Sequence, residues 1–538
     1  MKTILFILIL SSISLFADST KTIIKKNENK NISIIKYETK KFSDLLNTIV
    51  NNYADTVDIK KSTEKAYKAL LKSLDSQSNY FNKEEYKSIN EQTTGDLKGI
   101  GLSFVVDNNT PKVYQIIKNS QADSMGINEG YELLKINNTG LGKNAKSTID
   151  SLIKGENLTY VDLLLKDLKG NKKTYKLQRK SILVNSVKAS FLLKNTDIAY
   201  LKLYRFTKHT FEEISTALRI MKAEGMKKLV FDLRQNTGGV LDAAYQCASL
   251  FLDSNMIVTN TQALNPKFSI EYKTKIRGEF FKTPIIILID EKSASASEIF
   301  TASLQENDLS LVVGSKSFGK GSVQNTWTFK DGSAFRMTVA KYLTPLGRSF
   351  EKTYDTSKKE AGGDMKLNNS KKTINKITSL LNQYGGKSVL DIKRTKKGRM
   401  IINENGIHPD KFISKDTLTL LTKVLKNKKI FHTFAYQYLI VFKDSLNLEY
   451  KNGIDFSIRF KITNQMIQDF ADYCFRKGFF KKEMFLKDKN YIIFHLKARI
   501  ASAIWGENAY YYNEIQPDSQ IIMAVKSFDE LSEILNSK

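Results

Sequence analysis

Residues 314–324 read GSKSFGKGSVQ. This is one substitution short of a phosphate-binding loop, G-x-x-x-x-G-K-[ST], with Gly321 where the metal-binding hydroxyl would stand. A phosphate loop joins a strand to a helix, whose positive N-terminus faces the phosphates. The strand is there, in LSLVVG (309–314). The next segment, SVQNTWTF (322–329), alternates and is rich in β-formers, so it reads as a second strand and not a helix. The nucleotide reading fails on that context, and Lys320 needs another use. If 320–326 is a strand, Lys320, Ser322 and Gln324 fall on one face. A lysine stripped of water at the edge of an apolar sheet can lose its proton near neutral pH and act as a base.

Working outward, the rhythm from about Val187 onward is strand, helix, strand. IAYLKLYRF (198–206) is a strand and FEEISTALRIMKAEG (211–225) has helical periodicity. The buried strand in KKLVFDLR (227–234) ends in the turn QNTGG, and VLDAAYQCASLFL (240–252) is helical. PIIILID (284–290) is apolar throughout, as parallel strands covered on both faces are. SASASEIFTASLQEN (293–307) then starts a helix with small residues. These features predict an α/β core. The serines of SASASEI sit at a strand-to-helix turn, beside backbone N–H groups and the positive end of a helix, where a hydroxyl can serve as nucleophile to the lysine base. A Gly-Lys-Gly turn also occurs as a plain turn, and Ala/Ser-rich helix starts as close-packing contacts, so the residues alone leave both readings open.

The rest of the chain divides by pattern. Residues 1–17 have the layout of a secretory signal peptide: Lys2, an apolar run from Ile4 to Phe16 and small Ala17. That run is shorter than the roughly 20 residues of a membrane span. Residues 18–94 read as a helical segment, 95–180 as a β-rich domain with two short helices, and 181–350 as the α/β core. Residues 351–398 form a polar, Lys-rich insertion, 399–415 return to the core, and 416–538 carry long amphipathic runs that predict a helical appendix.

Composition excludes more than it proposes. The net charge of +28 would suit a nucleic-acid binder. Only 12 of the 84 basic residues are arginine, however, and the lysines are spread along the whole chain. Phosphate and base recognition leans on the planar arginine fork, so a solvated lysine-rich surface is the better account. Cys247 and Cys474 stand alone, and the four histidines are isolated from one another, so neither zinc nor another metal has sequence support.

Taken in order, SLDSQSNYFNKEEY, GDLKGIGLSF, LVFDLRQNTGGVL, IILIDEKSASASEIF, VGSKSFGKGSVQ, YLTPLGRSF and GIHPD make the chain resemble the carboxyl-terminal processing peptidases, or tail-specific proteases. The resemblance implies a multidomain α/β fold: a crotonase-like protease core with an inserted PDZ domain, an N-terminal helical segment and a C-terminal helical appendix. It implies Ser295 as nucleophile, Lys320 as general base and Gln324 as the residue that steadies the lysine. The oxyanion hole would take the N–H of Ala296 and of Gly238 or Gly239. The GIGL stretch, Gly99, Ile100, Gly101 and Leu102, would receive a substrate carboxylate while the peptide adds a strand beside it. The expectation is an exported, soluble serine endopeptidase of the periplasm or envelope, needing no cofactor or metal, that captures unstructured, apolar C-terminal tails. Its partners would be unfolded or tail-exposed proteins, with room for a regulatory adaptor and a homo-oligomer and no nucleic acid. The alternative is a PDZ scaffold that binds tails without cutting them.

Overall fold

Five consecutive residues, 285–289, are Ile-Ile-Ile-Leu-Ile and all are buried. A strand hydrophobic on both faces must be covered on both, and the main sheet is built around it. The computed structural model describes residues 31–107, 110–141 and 157–351, residues 392–537, and a few positions between 148 and 155. The expected signal peptide, and the expected insertion except at its ends, lie outside the described residues.

The chain divides into two compact units, one formed by residues up to Glu84 with Thr326–Met337, the other by Glu85–Asn325 with Thr338–Lys538. The first holds helices α1 (residues 31–52) and α2 (Ile59–Lys72) and strand β1 (Asn79–Phe81). Asp58 caps α2 by accepting the Lys61 N–H. β1 pairs antiparallel with residues 334–336, and Trp327 stacks on Phe335 with ring centroids 5.2 Å apart. This short strand interrupts a segment that its periodicity marks as helical throughout.

Helix α3 (Lys83–Thr94) leads to a β-rich module. Its strands are β2 (Asp96–Gly99), β3 (Leu102–Asp107), β4 (Thr110–Ile116), β5 (Glu132–Ile136), β6 (Thr139–Gly140), β7 (Tyr160–Lys166), β8 (Lys172–Gln178) and β9 (Lys180–Leu183), with a one-turn helix α4 (Gln121–Ser124) between β4 and β5. β3-β4-β5-β7-β8 form a sheet in which β3 is an edge strand, with β6 attached to β5. β2 and β9 pair with each other, so the module's entry and exit run side by side. The alternation in β7, where Val161, Leu163 and Leu165 are buried, seats one face on the module's own core.

The main sheet comprises β10 (Val187–Leu192), β11 (Ile198–Leu203), β12 (Lys228–Asp232), β15 (Ile285–Ile289), β16 (Ser310–Gly314) and β21 (Lys411–Phe412), in that order. All neighbours are parallel except β10 and β11. Helices α5 (Thr210–Ala223), α6 (Leu241–Ser249) and α7 (Ala296–Gln305) supply the crossovers and cover one face. There Phe231 of β12 stacks on Phe300 of α7 at 4.7 Å; burial of each such ring contributes about 1.5–3 kcal/mol. The other strands of the second unit are β13 (Ile257–Gln262) and β14 (Glu271–Lys273), which pair with each other, and the pair β19 (Ile392–Arg394) and β20 (Met400–Ile402). β17 (Ser322–Thr328) and β18 (Ala334–Leu343) each fall partly in the first unit and partly in the second.

Then come α8 (Leu420–Asn427), α9 (Ile430–Glu449), α10 (Gly453–Arg459), α11 (Asn464–Arg476), α12 (Lys482–Lys487), α13 (Lys489–Trp505), α14 (Glu507–Glu514), α15 (Ser519–Lys526) and α16 (Phe528–Asn536). These helices are more than an appendix. Tyr512, Ile521, Ala524, Phe528 and Leu531 pack on Tyr200, Val230, Ile286, Leu288 and Val313, which point to the sheet's second face. The chain's last three helices therefore complete the core layer that the strands require.

One half-buried acid in the module makes its stability depend on pH. Burial pushes the Glu129 carboxyl up from an ordinary 4.5 to about 7, against the Ile116 N–H bond and the charges of Arg499 and Lys118. The folded state therefore holds a proton that the unfolded chain releases. This contribution to stability is full below about pH 4.5 and is lost as pH rises through about 7. Glu129→Gln removes that slope. Between pH 5 and 8, urea unfolding should shift in the variant's favour relative to wild type by roughly 1–3 kcal/mol.

Candidate active site

The turn after β15 delivers Ser295 to the first position before α7. Its backbone is at φ 56° and ψ −116°, a conformation that costs a non-glycine residue about 1–3 kcal/mol. The turn is fastened before it. Asp290 accepts the N–H of Gln235 at 2.8 Å and of Lys292 at 3.1 Å, and Lys415 lies 3.0 Å from it. Asn236 O accepts from the Ala294 N–H at 3.1 Å and from the Ser297 hydroxyl at 3.0 Å. The 235–239 turn and the start of α7 are thus sewn together. Every residue of α7 is buried, so the helix's positive end is concentrated at Ser295.

Glu298, one turn into α7, joins this element to the lysine loop. Its carboxylate is 1% exposed and accepts four hydrogen bonds. The donors are the N–H of Ser295 at 2.8 Å, of Gly319 at 2.7 Å and of Lys320 at 2.8 Å, and the Ser317 hydroxyl at 2.5 Å. Burial pushes the carboxyl up, and the four donors work against that. Ser317 in turn accepts the N–H of Ile407 at 2.6 Å, which ties in the GIHPD segment.

Lys320 is half-buried, and its Nζ donates to Gln324 Oε1 at 3.4 Å. The strand starts at Ser322, not at 320 as the alternation suggests, because the N–H groups of 319 and 320 are turned toward Glu298. Gly321 answers the near-match to a phosphate loop: a Cβ there would lie 2.8 Å from the backbone N of Glu351, so no Ser or Thr fits.

The two glycines of the QNTGG turn differ. Gly238, at φ +91°, abuts Ser295: a Cβ on it would stand 2.5 Å from Ala294 O and 2.9 Å from Ser295 Cβ. Its N–H is committed to Asn236 Oδ1 at 2.9 Å. The N–H groups of Gly239 and Ala296 have no partner among the described residues. The GIGL residues lie in the β-rich module. Ile100 is in its core, and Gly101, at φ +85°, passes so close to Ser120 that any side chain would clash. Leu102 opens the edge strand β3.

Sequence reasoning assigned no role to Glu298, Ser317 or Asn236. The spacing Ser295-x-x-Glu298 is that of a capping box and could have exposed the first. Nothing local marks Ser317, whose partners are 19 and 90 residues away.

Parts of this chain match known proteins. The model of peptidase family S41 matches residues 197–357, and that of a family of unknown function matches residues 421–506. A probable CtpA-like serine protease of Staphylococcus haemolyticus is 32% identical over 326 residues, 60% of this chain and 63% of its own. One from Staphylococcus epidermidis is 30% identical over 351 residues, 64% of this chain and 69% of its own. A photosystem II D1 C-terminal processing protease superposes with a TM-score of 0.33 at 22% identity, over 58% of this chain and 89% of its own. The chain belongs to peptidase family S41. It spans a little under two thirds of the length of the first curated relatives it matches.

Glu298→Gln keeps the side chain's shape but turns an NH2 group toward donors that now meet an oxygen. Each donor left without an acceptor should lower the unfolding free energy by about 1–3 kcal/mol. Urea denaturation of the variant beside wild type measures this.

Proposed function

We propose that this chain is an exported serine endopeptidase that recognises unstructured, apolar C-terminal tails and cuts with a Ser–Lys dyad. The core would be crotonase-like and the β-rich module a PDZ domain. The observation that carries the reading is the single carboxylate of Glu298, which accepts the backbone N–H of both Ser295 and Lys320. Nucleophile and base are thereby held to one point.

In this mechanism Lys320 Nζ, neutral at the start, takes the proton of Ser295 Oγ as that oxygen attacks the scissile carbonyl. The negative charge moves onto the carbonyl oxygen, where the unengaged N–H groups of Ala296 and Gly239 receive it. The ammonium of Lys320 returns its proton to the leaving amine, and the C–N bond breaks. Water then attacks the acyl-enzyme as Lys320 takes its proton; the acyl C–O bond to Ser295 breaks and Lys320 returns the proton to Oγ. Gln324, accepting from Nζ, keeps the lysine aimed. The proposed oxyanion pair uses Gly239 in place of Gly238, whose N–H is already spent on Asn236.

Tail capture is supported by the edge of β3, which starts at Leu102 directly after Gly101 and, among the described residues, pairs with β4 alone. A peptide adding there gains main-chain hydrogen bonds, with side-chain pockets for specificity. Export rests on residues 1–17. Among the described residues no helix is long and apolar enough to cross a membrane.

The test is cleavage of an unfolded protein with an apolar C-terminus, in EDTA. Wild type should cut it. Ser295→Ala and Lys320→Ala should each fall by roughly a thousandfold or more in kcat. If both variants cut as well as wild type, the assignment of the site is wrong.

A further inference from the structure

Helix α9 carries one stripe of residues at 429, 432, 436 and 443, spaced to lie along a single helical face. Interleaved with and beside it, Phe431, Phe434, Ala435 and Leu439 are buried among the other C-terminal helices. The stripe meets the β-rich module. His432 Nε2 lies 2.7 Å from the carbonyl oxygen of Tyr114 in β4, and the two rings are 4.5 Å apart. Lys429, capping the helix start, places Nζ 4.8 Å over the same tyrosine ring. Lys443 donates to Asn128 Oδ1 at 3.2 Å. Tyr436 packs so closely on Gly130 that a Cβ there would sit 3.3 Å from its ring. Burial keeps the His432 ring neutral, down at about 3, so the nitrogen facing the carbonyl is the one that carries hydrogen and donates.

This grip continues to the tail-binding loop. His432 stands 3.7 Å from Glu129, whose other oxygen accepts the Ile116 N–H at 3.3 Å. Ile116 is paired with Leu102, and the next N–H, of Ile117, donates to Gly101 O at 2.8 Å. The far side of the helical region is fixed to the core. Asn508 accepts the Ser190 N–H at 2.9 Å, Glu507 meets Lys188 at 3.3 Å, and Asp518 accepts from Arg234 at 2.7 Å. Arg234 immediately precedes the 235–239 turn beside Ser295.

We propose that the stripe Lys429–His432–Tyr436–Lys443 is a docking surface whose partner is the β-rich module of the same chain, and that it holds the module's tail-binding edge in the one orientation that delivers a captured tail to the core. The region that a family of unknown function matches thus acts as a brace between the part that binds and the part that cuts. This inference rests on the tail-binding peptidase reading.

The experiment uses the full chain with spin labels at Lys172→Cys in the module and Glu271→Cys in the core, both exposed; the native cysteines are buried. His432→Glu sets a carboxylate against Glu129 and the Tyr114 carbonyl. Asn128→Lys, at a half-exposed position, sets a second ammonium against Lys443 and breaks the same contact without burying new charge; it serves if His432→Glu does not fold. The label distance should broaden in the variants. Their kcat/KM for a tail-bearing protein should fall by roughly tenfold or more as the effective concentration of the tail at the site is lost. Cleavage of a peptide too short to span both sites should stay within about twofold of wild type by the same argument. An unchanged distance overturns the brace, and a broadened distance with an unchanged ratio of the two activities overturns its delivery role. Ser295→Ala is the separate control: if it still cleaves, the peptidase reading fails, while the distances still decide whether the brace exists.

Discussion

A carboxylate buried among backbone amides organises this molecule. Glu298 accepts from Ser295 on its own helix and from Gly319 and Lys320 on a loop beyond the next strand. Taking a carboxylate out of water is expensive, and it is tolerated only when donors replace the water. Here three of the four donors are main-chain N–H groups, which cannot swing away as side chains can. The demand for charge compensation therefore fixes two loops at once. Through Ser317 the same demand reaches Ile407, so GIHPD is drawn in although it contributes no side chain to the carboxylate itself. The strained backbone of Ser295 is sustained by this over-determination.

A second constraint acts at larger scale. Parallel strands as apolar as β11, β12 and β15 cannot face water on either side. One face is covered by the crossover helices. The other waits for α14, α15 and α16, more than 200 residues further along the chain than β15. At the carboxyl end of β12 a buried ionic group marks the junction. Burial alone would raise the Asp232 carboxyl, but the Arg234 guanidinium and the Lys202 ammonium outweigh it and hold it well below the usual range. Arg234 reaches on to Asp518 and Gln520, tying the start of α15 to the strand it covers.

Much of this was legible in the sequence, unevenly and for physical reasons. The uninterrupted apolar run 285–289 dictates a doubly covered strand, and the strand-to-helix turn at SASASEI is written in small residues. The wrong start of β17 came from trusting alternation across Lys320, where a tertiary hydrogen bond to Glu298 overrides the local pattern. The choice between Gly238 and Gly239 was closed to sequence reasoning, because it depends on which N–H Asn236 has already engaged. The amphipathic runs after residue 416 announce helices but not their partners: a stripe of Lys, His, Tyr and Lys reads as solvated until the module is seen against it.

The pairing of β2 with β9 has a consequence for how such a chain can change. Asp96 lies opposite Leu183, and the Val184 N–H donates to Gly95 O at 3.1 Å, so the chain enters and leaves the β-rich module through one narrow doorway. Every strand of the sheet built around β15 follows that doorway in the chain. Everything between is topologically a separate unit, free to be exchanged for another fold without rethreading that sheet. The limit on such exchange is set from outside that unit, by the face of α9 that any replacement would have to fit.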